Sequence, residues 1–588
     1  MPTKNHYQIS YVLIVFSLLF SSCAPQPTAI PITTQSDAVM PPTAVPTGDP
    51  TATPSPIGLQ ISDAVPASLR EQAQGWNVPA NSFIELNVST SDVTASATQI
   101  PWVYALVAPF PTVTDGVSTD ELKNAWLHGD IPAAFNGHSL LMDESTLATF
   151  TALWGEPAAN AVRTVPADQL LDIAWSELPS WAIIPFESLE QKWKVLTIDG
   201  QSPICKNFDQ VTYPLGVSFA LQSSSDIQPS TLNIQPNYDP SKLTTIIMTG
   251  ITALVRATAY TMEMKGVLYP GEMIRDTMLE ADIAHVANHV PFYTGCHFPR
   301  PDQGALVFCS DPKYIDLFTD IGVDLVELTG HHFGDYGATA TLETLEIYKS
   351  HNIVYFGGGA NKQDAIKPAL FENHGNKIAF IGCNRLDTGG PATATDSRPG
   401  AAPCDFGYLQ QEIAQLRSVG YVVIATNHWN QTYDYMPNPQ QVIDFRLMVD
   451  WGASLVLGSQ AHYAQTMEFY NDTFIHYGQG NLFFDQMGDQ DWMPKGIRRE
   501  FLDRYVVYDG KLISIELITA MLEDYSRPRL MTEQERVGFL QEYFYKSGWT
   551  PLNPTPTPTI TPTLTPMSLP TASGASNLHP SGTATPTP

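Results

Sequence analysis

The stretch VDLVELTGHH, residues 323–332, decides how this chain is expected to fold. Its apolar half is typical of a short buried strand, and His331 and His332 follow that half directly. The same combination of an apolar run and a histidine recurs at 421–428 and at 454–462. Ligands bind at the carboxyl ends of the strands in a parallel α/β sheet. Imidazoles that follow three separate strands therefore predict one shared site at that edge.

The rest of residues 240–525 supports a largely parallel sheet. Strand-like runs such as Leu243–Thr249 alternate with helix-like segments such as Gly271–Glu280 and Gln440–Trp451. This β-α alternation predicts parallel strands joined by right-handed crossovers. The dipeptide Asp509-Gly510 indicates a hairpin, which would add an antiparallel portion. We therefore expect an α/β fold over this stretch.

The chain begins with the features of a secretory signal at residues 1–23. Lys4 precedes the short apolar run Ile9–Phe20, and two serines precede Cys23. The run is too short to span a bilayer. The segment resembles a bacterial lipoprotein signal, in which Cys23 becomes the lipidated first residue. An ordinary cleaved signal and an uncleaved anchor are the alternatives. We expect an extracytoplasmic, cell-surface protein that is lipid-anchored to the membrane.

Composition divides the remainder of the 588 residues. Two Pro/Thr-rich segments, 24–57 and 551–588, are expected to be an extended linker and a disordered tail. Between them we predict an α/β domain at 58–235, a second domain at 240–525 and a C-terminal helix at 526–550. The formal net charge of −29 repels nucleic acid, which excludes it as a partner. The oligomeric state stays open.

The cysteines suggest a pattern of disulfides. The chain has six, and five are left if Cys23 is lipidated. An exported protein permits disulfides, although sequence alone does not fix their connectivity. The pairs that we expect are Cys296–Cys309 and Cys383–Cys404, with Cys205 free.

Residues 58–235 resemble periplasmic solute-binding proteins of the phosphate-binding type. The resemblance rests on an apolar strand at 103–109, a helix that begins after Ser118, and Tyr213-Pro214-Leu215. It implies a solute-binding-like α/β domain. A generic α/β domain without a ligand is the alternative.

Four motifs between residues 240 and 525 resemble those of the CapA family, the bacterial capsule (poly-γ-glutamate) synthesis proteins. In chain order the motifs are Leu328–Gly337, Asn427–Trp429, Gly458–His462 and Tyr477–Gln486. The resemblance implies a calcineurin-like metallophosphatase fold, a four-layer α/β/β/α sandwich with a two-metal site at the strand ends. It also implies a role in capsule or other cell-envelope polymer biosynthesis.

Several positions depart from the family's motifs. The family's first strand ends in Gly-Asp, whose aspartate bridges metals, but this chain has Gly250-Ile251. Asn288-His289-Val290 replaces Asn-Leu-Glu, and Gly330-His331 replaces Asn-Asn. Gln460 replaces a histidine, and Thr432 replaces a glutamate. Two metal ions about 3.5–4 Å apart need a bridging carboxylate to offset their repulsion, so a dinuclear site is not expected.

We predict instead a single divalent metal ion, Zn or Mn, held by imidazoles. The candidate ligands are His289, His331, His332, His428 and His462. Three or four imidazoles leave an open position for water. A bound hydroxide would then attack an anionic polymer or a phosphoester. The catalytic residues in this hypothesis are His332, His428 and Asp335, the last of which supports a neighbouring imidazole.

A non-catalytic surface binding protein with a degenerate metal site is the alternative, and a purely structural envelope protein is a third hypothesis. The lost carboxylates favour binding over catalysis. Asn481 and Asp485 are expected to shape the turn at Gly480. The chain has no Gly-x-Ser-x-Gly motif that would support a serine nucleophile.

Overall fold

The computed structural model describes four stretches of the chain, namely residues 58–90, 97–386, 390–488 and 495–549. All of them belong to a compact unit that begins at Pro56. The predicted signal with Cys23, the linker at 24–57 and the tail at 551–588 lie outside the described residues. None of the helices within the four stretches combines the length and the apolar character needed to cross a membrane.

The amino-terminal part, residues 58–223, is built on one mixed sheet. Its strands are β1 (Gly58–Ile61), β2 (Phe83–Val88), β3 (Thr98–Pro109), β4 (Gly116–Val117), β5 (Leu140–Met142), β6 (Val162–Thr164), β7 (Ala182–Pro185), β8 (Trp193–Val195), β9 (Thr197–Ile198) and β10 (Gly216–Ser223). Its α-helices are α1 (Ala67–Gln74), α2 (Thr119–His128), α3 (Glu144–Trp154) and α4 (Leu170–Ser176). The main sheet runs β1-β2-β10-β3-β7-β5-β6, and β8 also pairs with β3, whereas β4 and β9 form a separate two-stranded parallel sheet.

Strand β3 lies at the centre of this sheet because its apolar run is buried throughout. Every residue from Trp102 to Ala108 is buried, as expected for a strand that is covered on both faces. Helix α2 begins at a capping box that the sequence predicts. The hydroxyl of Ser118 accepts a hydrogen bond from the backbone N–H of Glu121, whose carboxylate accepts from the N–H of Ser118.

The carboxy-terminal part begins at Leu243. Its strands are β11 (Leu243–Thr249), β12 (Ile251–Thr252), β13 (Ile283–Asn288), β14 (Val323–Glu327), β15 (Val354–Phe356), β16 (Gly358–Gly359), β17 (Ala369–Asn373), β18 (Asn376–Asn384), β19 (Gly400–Ala401), β20 (Val422–Thr432), β21 (Leu455–Ala461), β22 (Met467–Tyr470), β23 (Thr473–His476), β24 (Asn481–Phe483), β25 (Arg499–Tyr508), β26 (Lys511–Glu523) and β27 (Arg527–Leu530). Its α-helices are α5 (Arg256–Lys265), α6 (Arg275–Leu279), α7 (Ile315–Asp320), α8 (Gly337–Ser350), α9 (Lys362–Ala365), α10 (Phe406–Ser418), α11 (Pro439–Asp450) and α12 (Glu533–Lys546).

Two large sheets and a separate two-stranded sheet of β16 and β19 form this part. The first runs β15-β14-β13-β11-β25-β26-β27, and β12 joins it between β13 and β24. The second runs β17-β18-β20-β21-β23-β22. The strands β11, β13, β14 and β15 are parallel, as are β18, β20, β21 and β23. The hairpin of β25 and β26 adds the predicted antiparallel portion.

The two sheets pack face to face, and helices cover both outer faces. Ile246 of the first sheet shares one apolar core with Ile424 of the second. Its neighbour Ile247 belongs to a core shared with α5, α6 and α7, whereas Val423 belongs to a core shared with α10 and α11. Alternate residues of each strand therefore face the partner sheet and the helices. The predicted fold class, an α/β chain with a carboxy-terminal four-layer α/β/β/α sandwich, is confirmed.

One predicted helix is wrong in extent. The sequence predicts a helix at Gly271–Glu280, but only Arg275–Leu279 is α-helical, after a short 3-10 helix at Tyr269–Gly271. The proline within that 3-10 helix cannot continue an α-helix. The longer helix of this region is α5, which the sequence does not predict.

Both predicted disulfides, Cys296–Cys309 and Cys383–Cys404, are confirmed, and Cys205 is free. Cys205 lies in the seam between the two parts of the molecule, where a guanidinium nitrogen of Arg504 on β25 donates to the carbonyl of Ile204 at 3.0 Å. The apolar core of the amino-terminal part also includes residues of β11, β25 and β26.

Candidate functional site

The structure brings together the five histidines that the sequence singled out. His289 follows β13, His331 and His332 follow β14, His428 lies in β20, and His462 follows β21. Nδ1 of His331 lies 3.1 Å from Nε2 of His428. The ring centroids of His331 and His332 are 4.0 Å apart, and those of His289 and His428 are 4.8 Å apart. Both sheets therefore contribute imidazoles to one place at their carboxyl edges.

Burial keeps most of these imidazoles uncharged. It lowers the pKa of His331 to about 3 and that of His462 to about 4. Burial also holds the pKa of His289 and of His428 well below the ordinary histidine value. In each of these cases neighbouring histidines act in the same direction, because a second positive charge beside a first is unfavourable. These four histidines are therefore neutral at pH 7.

A carboxylate holds His332 in one orientation. Nδ1 of His332 lies 2.7 Å from Oδ2 of Asp335, which also accepts a hydrogen bond from the backbone N–H of Phe308 at 2.8 Å. The ring of Phe308 packs edge-on against the imidazole, with centroids 4.9 Å apart. Because Nδ1–H donates to the carboxylate, Nε2 keeps its lone pair for a ligand or a proton.

His462 is oriented by a chain of amides. Its Nδ1 lies 2.8 Å from Oδ1 of Asn481, and Nδ2 of Asn481 donates to Gln486 at 3.1 Å. The Gln486 amide donates in turn to the hydroxyl of Tyr433 at 3.0 Å. The imidazole stacks on Tyr433 and on Phe484, with centroid distances of 5.5 and 5.0 Å. Asn481 therefore positions a histidine, which the interpretation as a turn residue did not foresee.

Asp485 neutralises an arginine and caps a helix. Arg256, at the start of α5, has a φ of 46° and forms a salt bridge with Asp485. The second carboxylate oxygen of Asp485 accepts a hydrogen bond from the N–H of Ala257 at 3.1 Å. The guanidinium lies 5.4 Å from the ring of Phe308 and 5.2 Å from that of Phe484. The interpretation of Asp485 as a turn residue is therefore too narrow, because the carboxylate links two distant segments.

These side chains line a cleft of about 890 Å³. Its floor carries His289, His332, His462 and Gln460, and amides such as Gln431 extend along one wall. The carboxylates beside the imidazoles are engaged elsewhere, as described for Asp335 and Asp485. The cleft therefore offers many hydrogen-bonding groups and little net charge.

The residues present do not fit the metal pair that the family resemblance implies. Ile251 and Val290 bring apolar side chains, and Gln460 brings an amide, to positions where the family has carboxylates and a histidine. Gln460 has a φ of 77°, which is uncommon for a residue other than glycine. Within the described residues, no three or more His, Cys, Asp or Glu side chains are arranged to hold a metal ion. No step through a metal pair is therefore derived.

Two imidazole nitrogens of the cluster nevertheless lack a hydrogen-bond partner. Nδ1 of His428 and Nε2 of His289 are buried, and neither has a hydrogen-bond partner within the protein. A buried polar atom without a partner costs about 1–3 kcal/mol. The cluster is therefore a place where a ligand would gain free energy by supplying the missing contact.

In the amino-terminal part, the N-terminus of α2 is the candidate anion-binding site, because helix N-termini bind anions. The N–H and the hydroxyl of Thr119 donate to the two carboxylate oxygens of Asp199, at 3.0 and 2.5 Å. The N–H of Ser118 donates to Glu121 at 2.8 Å. Carboxylates of the chain itself therefore occupy this helix terminus, which disfavours a bound phosphate there.

Sequence reasoning gave no role to several residues of the cleft, namely Arg256, Phe308, Gln431, Tyr433, Phe484 and Gln486. Phe484 and Gln486 lie within the motif Tyr477–Gln486, and a separate signal was available for two of the others. Gln431 and Tyr433 follow His428 closely at the carboxyl end of β20, where residues of an α/β sheet meet ligands. Phe308 gives no such signal, because it lies in a long loop between β13 and α7.

Acidification is expected to destabilise the folded protein through the buried imidazoles. A histidine whose folded pKa is depressed binds fewer protons when folded, so its contribution is complete above the unfolded pKa of about 6.5. As the pH falls below that value, each such imidazole loses up to about 1.4 kcal/mol per pH unit until its folded pKa is reached. The free energy of unfolding in urea should therefore change less between pH 7.5 and pH 5 in His331→Gln than in wild type.

The control is His351→Gln, which changes a histidine on the surface. An equal change in wild type, His331→Gln and His351→Gln would contradict the expectation.

Comparison with known proteins agrees with the sequence motifs. Residues 245–486 match the family model of the bacterial capsule synthesis protein PGA_cap. A capsule biosynthesis protein CapA of Bacillus anthracis is 30% identical over 172 residues, which cover 28% of this chain and 41% of that protein. A PGA biosynthesis protein CapA of Bacillus subtilis (strain 168) is 30% identical over 178 residues, which cover 30% of this chain and 47% of that protein. The chain thus matches less than half the length of these relatives.

Solved structures show weaker likenesses. A hypothetical protein from Thermus thermophilus has a TM-score of 0.30 at 13% identity, over 48% of this chain and 100% of that chain. A putative 5'-nucleotidase from Staphylococcus aureus has a TM-score of 0.32 at 14% identity, over 51% of this chain and 59% of that chain. An ABC-type phosphate transport receptor from Vibrio cholerae has a TM-score of 0.22 at 15% identity, over 25% of this chain and 69% of that chain. At these scores the likenesses carry no argument about function.

Proposed function

We propose that this protein handles a capsule or other cell-envelope polymer, because residues 245–486 match the family model of the bacterial capsule synthesis protein PGA_cap. It does so by binding the polymer in the histidine-lined cleft, without hydrolysis at a metal pair. Its predicted secretory signal and lipidation at Cys23 would hold it at the outer surface of the membrane, on the linker at 24–57.

One observation carries the choice of binding over two-metal hydrolysis. Among the residues that the structure describes, the cleft has no free carboxylate between its imidazoles: Ile251 stands at the position of the family's bridging aspartate, while Asp335 and Asp485 are paired. Two divalent cations about 3.5–4 Å apart repel each other strongly unless a bridging anion lies between them. The site therefore lacks the charge that such a pair requires.

The same cleft suits the binding of a chain with repeating polar groups. Its volume of about 890 Å³ lies within the range of about 300–1,000 Å³ that is usual for ligand sites. Nδ1 of His332 is engaged with Asp335, so Nε2 is the ring nitrogen left to contact a ligand. The amides of Gln431 and Gln486 and the hydroxyl of Tyr433 are already linked to one another, so the donors and acceptors that a polymer would meet are held in place before it binds.

Binding of a single divalent ion is the second candidate, and the pair His331 and His428 favours it. The two facing nitrogens are 3.1 Å apart, close to the separation of two ligands that each lie about 2.0–2.1 Å from one tetrahedral zinc ion. These residues would hold the ion, which would supply Lewis-acid activation of a bound water. Zinc sites normally use three or four protein ligands, and no such set exists in the described part of the chain. Binding without a metal is therefore preferred.

Polymer binding without turnover is the expected experimental result. The mature protein is mixed in turn with poly-γ-glutamate and with a neutral cell-envelope polysaccharide, and its melting temperature and the polymer's size are followed. At least one polymer should raise the melting temperature, and neither should be shortened. The rise should be lost in Tyr433→Ala and kept in Tyr545→Ala, which changes an exposed tyrosine of α12. Shortening of either polymer that a chelator abolishes would contradict the proposal.

A further inference from the structure

The mouth of the cleft carries exposed apolar side chains beside the polar floor. They come from two segments, one turn of α5 and the loop closed by the disulfide Cys296–Cys309. Tyr260 (38% exposed) and Leu306 (67%) line the cleft itself, and Met264 (57%) and Phe298 (60%) lie on the same two segments outside it; we call the four residues the apolar rim. The rings of Tyr260 and Phe298 are 6.3 Å apart, so the two segments meet at the mouth.

The local structure holds the apolar rim in solvent. Helix α5 buries Thr258, Ala259 and Met262, so its opposite face carries the exposed tyrosine and methionine. The disulfide closes the loop at its base, and the N–H of Phe308 ties the loop to Asp335 at 2.8 Å. Isolated apolar residues on a surface are ordinary, but a contiguous exposed group commonly marks a binding surface.

The floor below the apolar rim is polar and nearly uncharged. The charge of Arg256 is balanced by Asp485, and the carboxylate of Asp335 is engaged by His332 and by the N–H of Phe308. The chain as a whole has a formal charge of −29, which adds repulsion for an anion. An uncharged group with several hydroxyls or amides therefore fits this floor better than a polyanion does.

We propose that the cleft binds an amphiphile, with an uncharged hydroxyl-rich head group on the polar floor and a hydrocarbon chain across the apolar rim. The inference rests on the proposed function. It adds that a unit of the envelope polymer is joined to a lipid chain when it binds in the cleft. A single ligand that contacts both surfaces is favoured over a separate partner on the rim, because Tyr260 and Leu306 line the same cleft as His332 and His462.

Calorimetric titration with n-dodecyl-β-D-maltoside below its micelle concentration tests the proposal, with maltose and n-dodecylphosphocholine as comparison probes. Wild-type protein should bind the maltoside at one site. It should bind each comparison probe at least about tenfold more weakly, because maltose lacks the apolar contacts of the dodecyl chain and dodecylphosphocholine lacks the hydrogen bonds of the sugar head group, and the loss of either set of contacts reduces affinity by about that factor. The variant Tyr260→Ser/Leu306→Ser, which changes the two rim residues that line the cleft, should lose about tenfold in affinity for the maltoside. The matched variant Val419→Ser/Ile443→Ser, which changes exposed apolar residues 49% and 52% accessible on other helices, should bind as wild type does.

Three results would contradict the proposal that the cleft binds an amphiphile. Equal affinity for maltose would remove the role of the chain, and equal affinity for dodecylphosphocholine would remove that of the head group. An equal loss in both double variants, or none in either, would mean adhesion that does not use the apolar rim. Near-ultraviolet circular dichroism establishes that each variant is folded. Stabilisation by a polymer in the preceding experiment would survive any of these results, so the two proposals fail separately.

Discussion

Replacing Asp503 by alanine is expected to destabilise the folded protein by about 1–3 kcal/mol, the usual cost of leaving a buried polar group without its hydrogen-bond partner. Asp503 on β25 and His476 on β23 are both fully buried, and Oδ2 of Asp503 lies 2.6 Å from Nδ1 of His476. The hydroxyl of Tyr505 donates to the same carboxylate oxygen at 3.0 Å. The pair joins the two sheets inside the apolar core of the sandwich. Its loss would leave an imidazole without its partner in a medium of low polarity.

Urea unfolding of Asp503→Ala and of His476→Leu/Asp503→Leu measures this effect. The double variant should lie much closer to wild type than the single variant, because replacing both partners by apolar groups removes the unpaired polar atom. Asp276→Ala, at a fully exposed carboxylate, should stay within about 0.5 kcal/mol of wild type. A single variant as stable as the double variant would contradict the account of the inter-sheet pair.

The second large effect is the gain of a metal site. The variant Ile251→Asp/Gln460→His introduces a carboxylate and an imidazole at two positions where this chain departs from the motifs of the family that residues 245–486 match. Without metal we expect the variant to be less stable than wild type, since Ile251 is buried and a carboxylate there is costly to bury. Added Mn²⁺ or Zn²⁺ should then stabilise the variant, by about 2.7 kcal/mol at a hundredfold excess over the dissociation constant.

The matched control for this variant is Ile251→Asn/Gln460→His, which keeps the size of the new side chain but removes its charge. Melting temperatures with and without Mn²⁺ give the readout. The metal-dependent rise should occur in the aspartate variant and be small in the asparagine variant and in wild type. Equal rises in all three proteins would show that the lost carboxylate is not what limits metal binding in this cleft.

Features decided locally were predictable from the sequence. The run at 323–328 forms a strand because its residues are apolar with little interruption, and the capping box at Ser118 uses residues only three positions apart. The approach of His331 to His428 follows from one further rule, that parallel strands end at the same edge. These features could be predicted without knowing which residues come into contact from distant parts of the chain.

Features that depend on distant partners were not predictable. Helix α5 has no capping side chain of its own, and its first turn is satisfied by Asp485, more than two hundred positions later in the chain. The orientation of His462 depends on a hydrogen bond with Asn481. The stability of the sandwich depends on the buried pair of His476 and Asp503. The sequence gives the residue types at the positions where the family's motifs have metal ligands. Whether the imidazoles at those positions can bind one ion depends on side-chain packing, which the sequence does not give.

The number of metal ions bound by the wild-type protein tests the central claim, that this cleft works without a metal pair. Protein purified without chelator and equilibrated with Zn²⁺ and Mn²⁺ is passed through a desalting column, and its metal content is measured. The account predicts well below one ion per chain, unchanged in His428→Ala. One ion per chain that is lost in His331→Ala would favour the second candidate function. Two tightly bound ions per chain, lost when His428 is replaced, would contradict the account.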